Sequence, residues 1–237
     1  TIKDPKSHRY SVSRGILGLR KAQSNYYKRR FNVDVDPDSE VIVTLGSKEG
    51  LANLASAITS NGDKVIVPNP SYPIHPYGFI IAGASVLSID SCPNENFIKN
   101  LYKILSSNNN RAKALVLNYP NNPTTRIASL EFFKEVVDIC IKYEVYILSD
   151  IAYAEIYFDG EIPPSILEVP KAKNIAVEFS SLSKTYSMPG WRVGFAVGNK
   201  SLIQALTKIK SYLDYGAFTP VQVASIAALN GPQECVN

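Results

Sequence analysis

The sequence is poor in the residues that build covalent cross-links and metal centres. Its 237 residues include three cysteines and two histidines. Cys92, Cys140 and Cys235 form no C-x-x-C pair, so we expect neither a disulfide framework nor a zinc ribbon. Two histidines are too few for a multi-histidine metal site. We therefore predict that the chain binds no metal and occupies a reducing, cytoplasmic environment.

Long apolar runs and a strong excess of one charge are lacking as well. No stretch reaches the roughly 18 uninterrupted apolar residues that cross a membrane. The 25 Lys and Arg residues exceed the 21 Asp and Glu residues by only four, and the basic–aromatic stripe typical of nucleic-acid binding is missing. No G-x-G-x-x-G motif follows a predicted strand, which disfavours a nicotinamide-dependent enzyme. The mild positive charge favours a small anionic ligand over a nucleic acid.

Short apolar runs alternate with longer amphipathic segments along the chain. Seven runs are apolar nearly throughout, as in strands buried on both faces of a sheet; they cover residues 41–45, 65–68, 85–89, 114–118, 145–149, 175–179 and 193–197. Helical patterns cover residues 13–30, 48–59, 74–82, 130–143 and, interrupted near Gly216 and Pro220, 201–230. A small polar tract lies at 106–110. This alternation predicts one α/β domain over residues 1–237, with a mostly parallel seven-stranded sheet between helices.

Polar groups follow the predicted strands at their carboxyl ends, where open parallel sheets bind ligands. Gly46, Ser47 and Lys48 lie between the first strand and a helix, and the backbone N–H groups of such a turn can hold a phosphate. Asn122 lies between two prolines that fix the backbone after the fourth strand. Ordinary turn chemistry and a stiff loop are the alternative interpretations of these two segments.

The fifth predicted strand is followed by Asp150 and Tyr153. A carboxylate at the end of a buried strand is costly unless it is paired, and no basic residue is adjacent to Asp150 in the sequence. We therefore expect Asp150 to need a cationic partner from elsewhere. A helix N-cap is the alternative interpretation.

The sixth predicted strand leads to Lys184, which lies among the small hydroxyl residues Ser181 and Ser183. A buried amine at this place can act as a Schiff-base nucleophile, whereas an exposed loop lysine is the alternative. Arg192 opens the next strand. Together these groups match the needs of pyridoxal phosphate. The coenzyme has an aldehyde for an amine, a ring nitrogen for a carboxylate, a phenolic oxygen for a phenol or an amide, and a phosphate for a guanidinium and an anion cradle.

Two segments near the end of the chain carry a resemblance to a known family. S-L-S-K-T-Y at 181–186 and G-W-R-V-G at 190–194 resemble the coenzyme-lysine signature of fold-type I, class I/II aminotransferases. The order and spacing of Asn122, Asp150 and Tyr153 relative to this signature agree with the family as well. The resemblance runs from about residue 10 to the C-terminus and corresponds to the family's large domain.

Two further motifs make the chain most similar to one subgroup of this family. They are G-S-K-E-G at 46–50 and P-N-P-S-Y-P at 68–73. The subgroup is that of the bacterial alanine (glutamate–pyruvate) aminotransferases, which are related to the aspartate and LL-diaminopimelate aminotransferases. The resemblance thus implies a role in amino acid metabolism, with amino acids and 2-oxo acids as substrates.

The resemblance implies a role for each residue around the coenzyme ring. Lys184 is expected to form the Schiff base and then to act as general base at the substrate α-carbon. Asp150 is expected to pair with the pyridinium nitrogen, and Tyr153 and Asn122 with the phenolic oxygen. Tyr72 is expected to stack on the ring.

The coenzyme phosphate is expected to bind to two groups of residues. They are the turn Gly46, Ser47 and Lys48 and the side chains of Ser181, Ser183 and Arg192. Tyr10 resembles a tyrosine that reaches the phosphate of a neighbouring subunit, which implies a homodimer with shared active sites; a helix-start aromatic residue is the alternative.

The resemblance leaves three functions open. The first is amino transfer between an alanine-, glutamate- or aspartate-type amino acid and a 2-oxo acid. The second is a pyridoxal phosphate-dependent C–S lyase on the same fold, and the third is a fragment that binds the coenzyme without catalysis. Family members have a further N-terminal segment and a C-terminal small domain with the arginine that binds the substrate carboxylate. We therefore expect the 237-residue chain alone to transaminate poorly.

Overall fold

A computed structural model describes residues 1–107 and 111–236, so most of the predicted polar tract at 106–110 lies outside the described residues. Seven strands form one sheet: β1 (Val41–Thr44), β2 (Lys64–Asn69), β3 (Ser85–Asp90), β4 (Ala112–Asn118), β5 (Tyr146–Asp150), β6 (Ala176–Ser181) and β7 (Gly194–Gly198). All seven predicted strands are confirmed, with their ends displaced by two residues or fewer.

The strand order is β1-β7-β6-β5-β4-β2-β3, and β7 alone among these seven strands runs against its neighbours β1 and β6. The other neighbouring pairs are parallel. Six strands therefore end at the same edge of the sheet, and β7 begins there. Because Gly194 pairs with Thr44 on one side and Ser181 on the other, the residues just before β7 lie beside the ends of β1 and β6.

Helices cover both faces of this sheet. They are α1 (Leu17–Phe31), α2 (Ser47–Ile58), α3 (Ile74–Ile81), α4 (Glu95–Ser106), α5 (Leu130–Lys142), α6 (Leu182–Thr185), α7 (Lys200–Leu213) and α8 (Thr219–Asn230). Along β4, Leu115 and Leu117 pack in the layer that contains α1, α4, α5 and α8, whereas Ala114 and Val116 pack against α2, α3 and α7. Residues 114–117 of this strand are apolar at every position because each face is buried. None of the helices in the described part of the chain is long and apolar enough to span a membrane.

Three helices differ from the sequence-based prediction, and one of them is the single turn α6, which was not predicted. Helix α1 begins four residues later than predicted, because Gly15 has a φ of +85° that no helix accommodates. Helix α4 was not predicted, although Asn94 caps it by accepting hydrogen bonds from two backbone N–H groups. Its buried residues Phe97, Leu101 and Leu105 are four apart, which is the spacing of a helix with one apolar face.

Glu178 is a fully buried carboxyl group on β6, on the face that packs against α1. It accepts hydrogen bonds from the Tyr27 hydroxyl (3.1 Å), the Ile166 N–H (3.1 Å), the Ser149 hydroxyl (3.3 Å) and the Ser165 hydroxyl. Burial nevertheless raises the pKa of Glu178 to about 7, because removal of the carboxylate from water outweighs these donors. The group thus links α1, β5, β6 and a loop, and it keeps its proton in the folded protein to unusually high pH.

We predict that Glu178 makes the free energy of unfolding fall by roughly 3 kcal/mol as the pH rises from its ordinary pKa to its raised one. Over this range the unfolded chain has released the proton and the folded chain still holds it, so stability falls as pH rises. Urea unfolding at about pH 5 and about pH 8 measures the effect. Glu178→Gln should remove it, whereas the exposed-site variant Glu135→Gln should keep it; equal pH dependence in parent and Glu178→Gln would contradict the assignment.

Candidate active site

Eleven of the twelve residues predicted for the site line one cavity of about 360 Å³ at the carboxyl edge of the sheet. They are Gly46, Ser47, Lys48, Tyr72, Asn122, Asp150, Tyr153, Ser181, Ser183, Lys184 and Arg192. The ends of β1, β4, β5 and β6, the segment after β2 and the segment before β7 bring these residues together. Their roles remain predictions, but their convergence in one cavity is a property of the fold.

One wall of the cavity is built for an anion. Gly46 caps α2 with a φ of +85°, which directs the first N–H groups and the positive end of the helix dipole towards the cavity. The Arg192 guanidinium donates to the carbonyls of Pro189 (2.8 Å) and Leu45 (3.3 Å) beside this turn. A Cβ atom on Gly46 would overlap that guanidinium, so the approach of the arginine requires glycine here. Arg192 itself has a left-handed backbone, with a φ of +54°.

Two serines complete this wall. The Ser181 hydroxyl lies 2.9 Å from the Ser183 hydroxyl and accepts the Ser183 N–H at 3.1 Å, which begins the single turn of α6. A Cβ atom on Gly194 would lie 2.6 Å from the Ser47 nitrogen. Glycine therefore lets β7 approach the turn closely enough for the guanidinium, the two hydroxyls and the helix N-terminus to face one space.

The opposite wall holds a paired carboxylate. Asp150 ends β5 and is 5 % exposed; its Oδ1 accepts the Ala152 N–H at 3.1 Å and its Oδ2 lies 3.1 Å from His75 Nε2. His75 is fully buried in α3, and its Nδ1 has no hydrogen-bond partner among the described residues. His75 is therefore the side chain with which the protein itself partners the Asp150 carboxylate. Sequence reasoning missed His75, although its place three residues after Tyr72 was a usable signal.

Asn118 was missed as well and holds two predicted residues in place. This side chain at the end of β4 is 2 % exposed; its Oδ1 accepts the Asn122 N–H and its Nδ2 donates to the Asp150 carbonyl, both at 2.9 Å. The Asn122 side chain in turn lies 3.3 Å from the Tyr153 hydroxyl. An amide and a phenol that share a hydrogen bond can together bind one oxygen atom of a ligand.

Lys184 is exposed, and the expectation of a buried amine is wrong. It lies in the single turn of α6, at the rim of the cavity, and its Nζ is 5.6 Å from the centre of the Tyr153 ring. The second amine of the cavity is that of Lys48, 5.9 Å from the centre of the Tyr72 ring. The sequence alone could not show whether Lys184 is exposed at the rim or buried, because a lysine just after a buried strand can be either.

Tyr10 is the one predicted site residue outside the cavity. It is 83 % exposed and stacks on Tyr215 with 4.3 Å between the ring centres. In this chain it contributes nothing to the cavity, and its predicted contact with a neighbouring subunit remains a prediction.

The cavity and fold have well-defined relatives. The family profile described as aminotransferase class I and II matches residues 2–237. The chain is 56% identical over 230 residues to the putative aminotransferase AatC of Rhizobium meliloti, and 53% identical over 232 residues to the glutamate-pyruvate aminotransferase AlaC of Escherichia coli. These matches cover 97% and 98% of this chain but 57% and 56% of the relatives.

Solved structures agree with these sequence matches. The structure of substrate-bound BacF from Bacillus subtilis superposes with a TM-score of 0.91 at 33% identity, over 99% of this chain and 60% of that one. An aminotransferase from Staphylococcus aureus gives a TM-score of 0.88 at 32% identity, over 99% of this chain and 62% of that one. The chain thus spans less than two thirds of the length of these relatives.

We predict that Gly194→Ala destabilises the protein by about 1–3 kcal/mol more than Gly190→Ala, because its Cβ would lie 2.6 Å from the backbone nitrogen of Ser47, which cannot move aside as a side chain can. Gly190 is the control, since no atom lies within 4 Å of its Cβ position. Urea unfolding of both variants gives the difference. Equal losses would show that β7 does not approach the turn after β1 as closely as described.

Proposed function

This chain belongs to the class I and II aminotransferases, and from that membership we propose that it forms, over residues 1–237, the coenzyme-binding large domain of an enzyme that transfers amino groups between amino acids and 2-oxo acids. The family uses pyridoxal phosphate. The observation that carries the proposal is the single cavity that joins Lys184, Asp150 and the anion wall around Arg192.

The residues of the cavity fit pyridoxal phosphate on three counts. The volume of about 360 Å³ lies in the range of small-molecule sites. The glycine turn and Arg192 form a cradle for a dianion, which a Cβ on Gly46 would fill. The Asp150 carboxylate faces the same cavity from the opposite wall, with the fully buried His75 behind it. An acidic group at one end and an anion site at the other match the ring nitrogen and the phosphate.

The coenzyme, when bound, supplies an aldehyde and an electron-accepting ring. Asp150 would hold a proton at the ring nitrogen, with its carboxylate oriented by the 3.1 Å contact with His75. The Tyr153 hydroxyl and Asn122 Nδ2 would bind the phenolic oxygen. Lys184 Nζ would supply the amine for the coenzyme aldehyde and the base for the substrate α-proton.

Amino transfer is favoured over C–S lysis by the relatives. AatC and AlaC are both named aminotransferases, and AlaC is named for glutamate and pyruvate. We therefore propose alanine, glutamate or aspartate as the type of amino-acid substrate. Because the chain spans 57% and 56% of these relatives, the group that binds the substrate carboxylate is not assigned to a residue of this chain.

We also propose that the protein forms a homodimer through the surface around Tyr10. Tyr10, Tyr212, Tyr215, Leu213 and Phe218 are all large apolar or aromatic residues with 46 % to 83 % of their surface exposed. Tyr10 stacks on Tyr215 with 4.3 Å between the ring centres, and exposed aromatic clusters of this kind mark protein interfaces. The surface lies where Tyr10 was predicted to meet a neighbouring subunit.

A cytoplasmic location is part of the same proposal. Cys92, Cys140 and Cys235 are all free thiols, and thiols remain reduced in the cytosol. Fractionation of cells that produce the protein tests this, and recovery with an oxidising extracellular fraction would contradict it.

We predict that added pyridoxal phosphate gives the protein a visible absorption band that Lys184→Ala lacks, because the band requires an imine with this amine. Lys48→Ala removes the other amine of the cavity and should keep the band. The measurement is an absorption spectrum of each variant, titrated with the coenzyme. A band of equal strength in Lys184→Ala would show that another amine reacts.

An assay with labelled glutamate distinguishes transfer from lysis. The assay follows ¹⁵N from labelled glutamate into alanine in the presence of pyruvate, in the longest natural polypeptide that contains this chain. Transfer that depends on Lys184 supports the proposal. Release of a thiol, pyruvate and ammonia from an S-alkylcysteine, without transfer of label from glutamate, would favour the lyase instead.

We predict that Tyr10→Ala combined with Tyr215→Ala raises the dimer dissociation constant at least about tenfold, since buried aromatic anchors dominate interface energies. Sedimentation at a series of concentrations measures it. Tyr102→Ala is the control, because Tyr102 is also exposed but lies on α4, outside the Tyr10 surface. A monomeric parent protein, or equal constants in all variants, would contradict the dimer surface.

A further inference from the structure

Lys210 is a fully buried lysine outside the cavity. It lies on α7, and its Nζ is 2.8 Å from Glu49 Oε1 and 2.8 Å from Asp214 Oδ2. Removing an ammonium group from water is costly, and replacement of buried ion pairs by apolar residues is often neutral or stabilising. The arrangement therefore calls for an explanation beyond the stability of the helix.

Glu49 connects this ammonium group to the anion wall. Its Oε1 binds Lys210 and also accepts a hydrogen bond from Asn53, while its Oε2 accepts the Leu45 N–H at 2.8 Å. The Leu45 carbonyl accepts from Arg192 at 3.3 Å. The residue directly before Gly46 is thus held at its N–H by Glu49 and at its carbonyl by the arginine of the cradle.

We propose that Lys210 is a positioning residue for the phosphate cradle, which it acts on through Glu49; the inference rests on the proposed function of the cavity. The ammonium group holds Glu49 in the one orientation in which a carboxylate oxygen meets the Leu45 N–H. Without it, the two carboxylates of Glu49 and Asp214, whose side chains are 23% and 18% exposed, are left together without the cation between them. Their repulsion drives Glu49 away from Leu45 and loosens the turn that presents the Ser47 and Lys48 N–H groups.

A purely structural role is the competing explanation. Asp214 Oδ1 accepts the Gly216 N–H at 2.7 Å, and its carbonyl accepts the Ser13 hydroxyl at 2.6 Å. Lys210 therefore also anchors the segment after α7. Loss of that anchor lowers global stability but leaves the Leu45 N–H as protected as its neighbours, so a local measurement at Leu45 separates the two roles.

The experiment compares Lys210→Met with Lys173→Met. Lys173 is the matched control, because it also pairs with a glutamate, Glu40, at 3.0 Å but lies away from the cradle. Amide hydrogen exchange at Leu45, measured without coenzyme, should accelerate at least about tenfold in Lys210→Met only, as expected for loss of one hydrogen bond. The dissociation constant for pyridoxal phosphate should rise by a similar factor.

A double-mutant cycle tests the route through Glu49. In a Glu49→Leu background, Lys210→Met should change neither Leu45 exchange nor coenzyme affinity further, because the connection is already broken. Glu49→Gln offers a milder variant should Lys210→Met fail to fold. It leaves one oxygen for the three donors Leu45 N–H, Asn53 and Lys210, and should shift both readouts in the same direction by a smaller factor.

The outcomes are distinguishable. Unchanged Leu45 exchange in Lys210→Met and Glu49→Gln would overturn the inference, as would additive effects in the cycle. Faster Leu45 exchange with unchanged coenzyme affinity would overturn it too, because the turn would then not govern phosphate binding. Failure of the unsubstituted protein to bind pyridoxal phosphate would overturn the proposed function, while the exchange data would still report whether Lys210 holds the turn.

Discussion

The site depends on the insertion of β7, antiparallel, between β1 and β6. Gly194 pairs with Thr44 and Ser181, so the start of β7 lies against the ends of two strands that are far apart in the sequence. This pairing places Arg192 beside the turn after β1 and beside the helix that carries Lys184. A β7 that ran parallel to its neighbours would place Arg192 at the opposite edge of the sheet, and the anion wall would lack its guanidinium. Glycine at 46 and 194 permits the close approach that the pairing requires.

The pattern of apolar residues was sufficient to predict the strands, because strands buried on both faces contain few polar residues. It was also sufficient to predict that groups following these strands share one edge. It did not reveal the direction of β7, so periodicity alone did not place Arg192, which precedes that strand, at the carboxyl edge of the other strands. The resemblance of G-W-R-V-G at 190–194 to the family signature predicted that Arg192 belongs to the site. The antiparallel pairing of β7 with β1 and β6 explains how the fold brings it there.

What the pattern could not show were contacts made across the fold. His75 and Asp150 are 75 residues apart and meet because α3 packs beside the end of β5. Asn118 looked like the last residue of a strand, yet both ends of its amide are used to hold Asn122 and Asp150. Such partners follow from packing, which periodicity along the chain does not encode. Helix α4 is a different case: it was not predicted, although its cap and apolar spacing were present in the sequence.

The different burial of Asp150 and Lys184 is consistent with the tasks proposed for them. A carboxylate that holds a proton at one fixed ring atom benefits from a rigid position, and Asp150 is 5 % exposed and fixed by both His75 and the Ala152 N–H. An amine that must bind a carbon atom, leave it and then move a proton needs freedom, and Lys184 lies exposed on a single helical turn. The backbone around that turn is nevertheless constrained, since Ser187 and Arg192 have φ values of +52° and +54°. Non-glycine residues adopt such conformations where surrounding structure enforces them, and this often happens at functional sites. The constraint therefore acts on the backbone that aims the amine and the guanidinium, while the amine itself remains free to move.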